Sequence, residues 1–252
     1  MTEKTGVIIQ ARTGSTRLPN KVVLPFHQET SILEILIQKL LVFKDRYTIV
    51  LATTDAENDK ILVDVAKKLG IEYYQGDQLD VLQRFIDAAT EFNIDTIVRI
   101  CSDNPFLDNG FIQDLIDYFK SHPGLDYLSY KNDHGIPAIK THLGLFAEIV
   151  TLDALKRVQQ QTNEKLYKEH VTNYVYANPN DFNVNLLKMP EYLMQRGDLR
   201  FTIDDQDDFT NLAKLYTFYK ENNNDIQSMV EHIDQDSNTL KLMISNIKKY
   251  EK

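Results

Sequence analysis

The chain has 252 residues, 42% of them hydrophobic and 26% charged, with a formal net charge of -9. That length allows one large domain with a sizeable core, and the acidic balance excludes general nucleic-acid binding, which needs a basic face. A single cysteine, Cys101, excludes an intrachain disulfide and fits a reducing compartment. The start, MTEKTGVIIQAR, has no basic n-region leading into a long apolar stretch. No apolar run approaches the roughly 18 residues of a spanning helix, so the expectation is a soluble cytoplasmic protein with no membrane partner.

Apolar strands alternate with amphipathic helices over the first half. Residues 6–11 predict a short buried strand. Ser31 and Glu34 have capping-box spacing, and Ile32, Leu33, Leu36, Leu40 and Phe43 follow at helical spacing. Residues 47–53 (YTIVLAT) predict a strand, residues 58–69 a helix that Gly70 ends, and residues 71–74 another strand. A helix over 80–92, a strand over 96–101, a helix over 111–119 and a strand over 125–130 complete the alternation. Such an order implies a mostly parallel sheet covered on both faces.

The pattern changes after Tyr130. A loop with Gly135 and Pro137 leads to an expected strand at 145–150 and helices at 152–161 and 165–176. Residues 181–189 alternate like a half-exposed strand, residues 199–203 predict a last short strand, and the remainder is helical. The whole chain, 1–252, is expected to form one domain, with a small α+β insertion at about 130–195.

Three polar clusters follow strands, where open parallel sheets bind ligands. The first runs from Ala11 to Lys21 and has no acid. Gly14 permits backbone approach, Ser15 and Thr16 offer hydroxyls, and Arg12, Arg17 and Lys21 offer charge, a mixture that suits phosphoryl groups. It is neither a Walker A motif nor GxGxxG. The second follows Val98–Cys101: Asp103 could hold Mg²⁺, or simply cap the next turn, and Arg99 could be an ion-pair residue. The third is Arg200-Phe201-Thr202-Ile203-Asp204 with Asp205, Asp207 and Asp208. Asp204 could share a metal with Asp103, whereas the other three acids suit the positive start of a helix. The histidines lack zinc-site spacing.

Five segments together resemble the cytidylyltransferases of bacterial surface-sugar biosynthesis, the family that includes CMP-Kdo synthetase, acylneuraminate cytidylyltransferase and the spore coat polysaccharide type. They are IIQARTGSTRLPNK at 8–21, DVLQRF at 80–85, VRICSDNPFLD at 98–108, KEHVTNYVY at 168–176 and LRFTIDDQDDF at 199–209. The resemblance implies a Rossmann-like α/β fold with a mostly parallel sheet, of the GT-A nucleotidyltransferase type. It implies CTP and Mg²⁺, an unidentified small-molecule acceptor, and a homodimer. By motif, Ala11, Arg12, Gly14, Ser15, Arg17 and Lys21 would hold the triphosphate. Thr53, Thr54 and Asp55 would lie near the cytidine, with Asp80 and Arg84 near the ribose and sugar. Asp103 and Asp204 would bind the metal, and Arg12, Lys21 and Asp103 would do the catalytic work. His170 falls in a segment expected to shape the acceptor pocket. Ser102 stands where the family often has Gly, and the proline usual after the final Asp is missing. A GT-A glycosyltransferase and a non-catalytic nucleotide-binding subunit remain as alternatives.

Overall fold

The computed structural model describes residues 3–250. Its centre is a seven-stranded sheet. The strands are β1 (Thr5–Gln10), β2 (Thr48–Thr54), β3 (Glu72–Gly76), β4 (Thr96–Cys101), β5 (Tyr127–Lys131), β6 (Glu148–Thr151) and β7 (Val184–Lys188). They lie in the order β3-β2-β1-β4-β6-β5-β7. Every neighbouring pair is parallel except those made by β6, which runs antiparallel to β4 and β5. A small hairpin joins Pro25–His27 to Thr30–Ser31.

The helices are α1 (Ile32–Leu40), α2 (Lys60–Leu69), α3 (Val81–Glu91), α4 (Asn109–Ser121), α5 (Leu152–Gln161), α6 (Lys165–Glu169), α7 (Asn173–Ala177), α8 (Glu191–Met194), α9 (Gln206–Glu221), α10 (Ile226–Gln235) and α11 (Ser237–Lys249). They cover both faces of the sheet. Alternate residues of β1 enter opposite layers: Val7 and Ile9 join the core under α1, α4 and α9, while Ile8 joins the core under α3 and α5. Strands buried on both faces read as nearly continuous apolar runs, which is why β1, β2 and β4 were legible. Each fully buried Ile or Val of this kind contributes about 1.5–3 kcal/mol relative to exposure.

Local signals set the helix ends. The Ser31–Glu34 capping box forms in full. Gly70 ends α2 at φ +67°, a left-handed position that glycine takes without a Cβ clash. Asp80 and Asp205 cap α3 and α9 by accepting backbone N–H groups from Gln83 and Asp208.

Two expectations need correction. The expected strand at 199–203 is not one. Its backbone is extended, but Phe201 N–H bonds only to the His142 carbonyl and Ile203 N–H to the Asp103 carbonyl, both in loops, so no ladder forms. The expected helix at 165–176 is two short helices, α6 and α7, interrupted at Val171, whose φ is +30°. The stretch 130–195 supplies β6, β7 and α5–α8 to the same sheet and its flanks.

Candidate active site

The parallel strands β1 to β4 all point their carboxyl ends to one edge. The loop after β1 is tied to the loop after β2 by Asp59, which is buried. Thr13 donates to Asp59 through N–H at 2.7 Å and through its hydroxyl at 2.6 Å. The Thr54 hydroxyl donates to its other oxygen. Sequence reasoning missed Asp59, because a lone acid opening a helix carries no spacing signal. Ser15 Oγ accepts from Leu18 N–H at 3.3 Å and so helps to shape the loop. A Cβ on Gly14 would meet only the end of Gln78, so no protein atom crowds that glycine.

This tether aims the cations across the sheet edge. Lys21 Nζ lies 3.6 Å from Asp103 Oδ2 and donates to the Ile203 carbonyl. Ile203 N–H in turn donates to the Asp103 carbonyl at 3.2 Å. Arg17 donates to Asp204. Four predicted residues, Arg17, Lys21, Asp103 and Asp204, therefore form one cluster. Arg12 points elsewhere, to Glu169 of α6 at 3.6 Å.

Asp204 has a second cation below it. Arg200, fully buried, donates to Asp204 at 2.6 Å and makes a two-pronged contact with Asp208 at 2.7 and 2.8 Å. Burial raises the Asp204 pKa, but Lys21, Arg200 and Arg17 outweigh it and hold the carboxyl below its ordinary value. Arg200 was missed as an organiser, although its spacing of four and eight residues from Asp204 and Asp208 was a usable signal. Gly144, at φ +59°, presses this wall together: a Cβ there would sit 3.0 Å from both Asn104 Oδ1 and Thr202 Cγ2.

The residues expected around the nucleoside end β2 and open α3. Thr53 is buried, and among the described residues its hydroxyl has no hydrogen-bond partner. Asp55 N–H donates to the Gly76 carbonyl at 3.1 Å, which joins the β2 and β3 ends. Arg84 is 1% exposed and donates to the Asp77 carbonyl at 2.9 Å. Its Nε and Nη2 have no partner among the described residues. Burial, reinforced by nearby Arg12, lowers its pKa. Asp80, besides capping α3, pairs with Lys168 at 2.9 Å.

Beside the cluster is a cavity of about 760 Å³, whose lining includes Arg17, Arg99, Asp103, His170, Asp204 and Tyr250. At its floor Arg99 is a structural ion-pair residue. It donates to Glu148, which also accepts from Tyr127 and Thr172, and it reaches Gln10 at 3.1 Å.

Among the described residues no group of three or more His, Cys, Asp or Glu side chains is set to hold a metal ion. Asp103 and Asp204 offer two hard carboxylates on adjoining segments, and on the same segments the buried Asn104 Oδ1 and Thr202 Oγ1 have no hydrogen-bond partner among the described residues. Two carboxylates with substrate phosphates and water suit Mg²⁺, which seldom uses an all-protein cage. The residues fit the ion.

A doubly covered, mostly parallel sheet with this edge defines a nucleotidyltransferase of the Rossmann-like kind. The cytidylyltransferase family model matches residues 6–237, and the chain belongs to that family. It is 38% identical to the uncharacterized protein MJ1063 of Methanocaldococcus jannaschii over 96% of this chain and 94% of that one. It is 34% identical to the spore coat polysaccharide biosynthesis protein SpsF of Bacillus subtilis over 83% of this chain and 85% of that one. A solved cytidylyltransferase from Leptospira borgpetersenii superposes with a TM-score of 0.80 at 29% identity, covering 94% of this chain and 97% of that chain. Among the described residues no helix is long and apolar enough to cross a membrane.

Proposed function

We propose that the protein transfers CMP from CTP to a sugar acid, a sugar phosphate or a related surface-polysaccharide precursor, with release of pyrophosphate. The observation that carries this reading is the Lys21–Asp103 contact at 3.6 Å, which unites the basic loop and the acidic wall beside one cavity. An oxygen of the acceptor attacks the α-phosphorus of CTP. The new P–O bond replaces the bond to the bridging oxygen, and pyrophosphate and a proton leave.

The chain's part is positioning and charge. Arg12, Arg17 and Lys21 would cradle the triphosphate, with backbone donors of Ala11 to Ser15 beneath it. Lys21 and Arg17 would then stabilise the departing pyrophosphate, where negative charge accumulates. Asp103 and Asp204 would hold Mg²⁺, which when bound offsets charge on the reacting phosphoryl group. Thr53, Thr54, Asp55, Asp80 and Arg84 would face the nucleoside. The cavity that includes Arg99 and His170 would take the acceptor, and holding both partners in line supplies much of the rate. A homodimer in the cytoplasm completes the proposal, and the mass in solution tests the first part of it.

The experiment is a pyrophosphate-release screen of the four nucleoside triphosphates against sugar acids, sugar phosphates and phosphonates with Mg²⁺. CTP alone should give release, and Asp103→Asn should abolish it without changing the melting temperature. Release with another triphosphate in preference to CTP would overturn the CTP assignment. A fully active Asp103→Asn enzyme would overturn the site.

A further inference from the structure

The family match stops at residue 237, where α11 begins, yet the end of this helix returns to the site. Its anchoring is separate from its tip. Asp236 caps it by accepting from Asn238 and Thr239 N–H. Met243 and Asn246 are buried, and Asn246 donates to Asp208 at 2.8 Å. At the tip, Lys249 Nζ and the Tyr250 hydroxyl each donate to Asp205 Oδ2 at 2.8 Å. These bonds fix the Tyr250 ring, whose centroid lies 4.7 Å from Arg17 Cζ and 5.3 Å from Arg200 Cζ. Lys249 and Tyr250 also line the cavity that Asp103 and Asp204 line.

The ring does something for Arg17 that Asp204 does not. A carboxylate occupies guanidinium N–H groups, whereas an aromatic ring attracts the cation and leaves those donors for an oxyanion. The Arg17 side chain is 49% exposed and is held by Asp204, so when that carboxylate is given up for an anion the side chain must be kept ordered at an entropic cost. A ring already in place removes part of that cost. We propose that Tyr250 is a positioning residue of the nucleotide site, holding Arg17 in the orientation that receives the triphosphate. This rests on the reading of Arg17 as a triphosphate ligand.

The test is calorimetric binding of CTP with Mg²⁺ to the full chain. Tyr250→Ala should weaken binding about fivefold, in keeping with one partly exposed cation–ring contact. Tyr250→Phe keeps the ring and its helix anchor but loses the hydroxyl bond to Asp205, so it should bind between the unaltered chain and Tyr250→Ala. In an Arg17→Ala background, Tyr250→Ala should cause no further loss. Circular dichroism checks that the variants fold; if Tyr250→Ala does not, Tyr250→Leu keeps apolar bulk without the aromatic face and should show the same loss. Unchanged affinity in Tyr250→Ala, or an equal loss in the Arg17→Ala background, would overturn the inference and leave the cytidylyltransferase reading standing. No CTP binding by the unaltered chain would overturn both.

Discussion

Arg17 donates to Asp204, so a loop cation and an acid of the facing wall neutralise each other across 187 residues of sequence. The proposed function assigns these partners to different ligands, Arg17 to phosphate and Asp204 to Mg²⁺. Loading the site therefore exchanges one set of ion pairs for another. Asp204→Asn should keep metal-free CTP binding, because Arg17 is then held less tightly by the wall. It should lose the tightening that Mg²⁺ gives the unaltered protein, and turnover should fall by about 100-fold or more. Titrations of CTP with and without Mg²⁺ check the first two outcomes, and pyrophosphate release checks the third.

Asp205 predicts an acid limb in the stability profile. Burial raises its pKa, but the Asp208 N–H, Lys249 and Tyr250 outweigh that and lower it to about 2. A depressed carboxylate pKa stabilises the fold above the unfolded value near 4, and that stabilisation disappears as pH falls toward 2. Asp205→Asn should therefore flatten the melting-temperature profile between about pH 4 and pH 2, while costing about 1–2 kcal/mol near neutrality. Thermal melts of both proteins across that range would reveal the difference. Parallel profiles would refute the assignment.

The Arg99–Glu148 pair makes a prediction about the cavity floor. Both side chains are buried, and Tyr127 and Thr172 add hydrogen bonds to the same carboxylate. Glu148→Ala leaves a buried guanidinium without its counter-charge, so stability should fall by about 3–5 kcal/mol. Replacing both residues with Met should recover much of that loss, since a buried ion pair is often no better than apolar packing. Urea midpoints for the single and double variants test this. A double variant no more stable than Glu148→Ala would contradict it.

Legibility from sequence followed the range of each interaction. The Ser31–Glu34 box and the Gly70 cap act within a few residues, so their spacing was enough. The β1, β2 and β4 strands were legible because burial on both faces leaves a nearly continuous apolar run, broken in β4 by Arg99. Residues 199–203 (LRFTI) also read as a strand, by alternation, but strand formation needs a partner, and their neighbours in space are the loops at His142 and Asp103. The gathering of Lys21, Asp103 and Asp204 followed from their motifs. Arg200 was readable from its spacing to Asp204 and Asp208, whereas the contacts of Asp59, Gly144 and Tyr250 depend on the tertiary fold. Tyr250 lies 45 residues from the Asp205 that holds it, and no periodicity links them.

Arg84 offers a last test, because stability and binding should move in opposite directions. It is nearly fully buried, and among the described residues no carboxylate forms a salt bridge with it and two of its nitrogens lack partners. A buried charge with unmet donors costs free energy in the folded state, which is consistent with its lowered pKa. Evolution toward stability alone would favour an apolar side chain of similar length. Arg84→Met should therefore raise stability by about 1 kcal/mol or leave it unchanged, since the removed penalty is offset by the bond to the Asp77 carbonyl and the longer-range attraction of Asp59, Asp77 and Asp55. If the unmet donors serve the nucleoside, the same substitution should weaken CTP binding about tenfold, the loss expected when a charged hydrogen-bond donor is removed from a ligand. Melting curves and CTP titrations on one preparation give both numbers. A variant that is less stable and binds CTP as before would make Arg84 a structural residue and remove it from the nucleotide site.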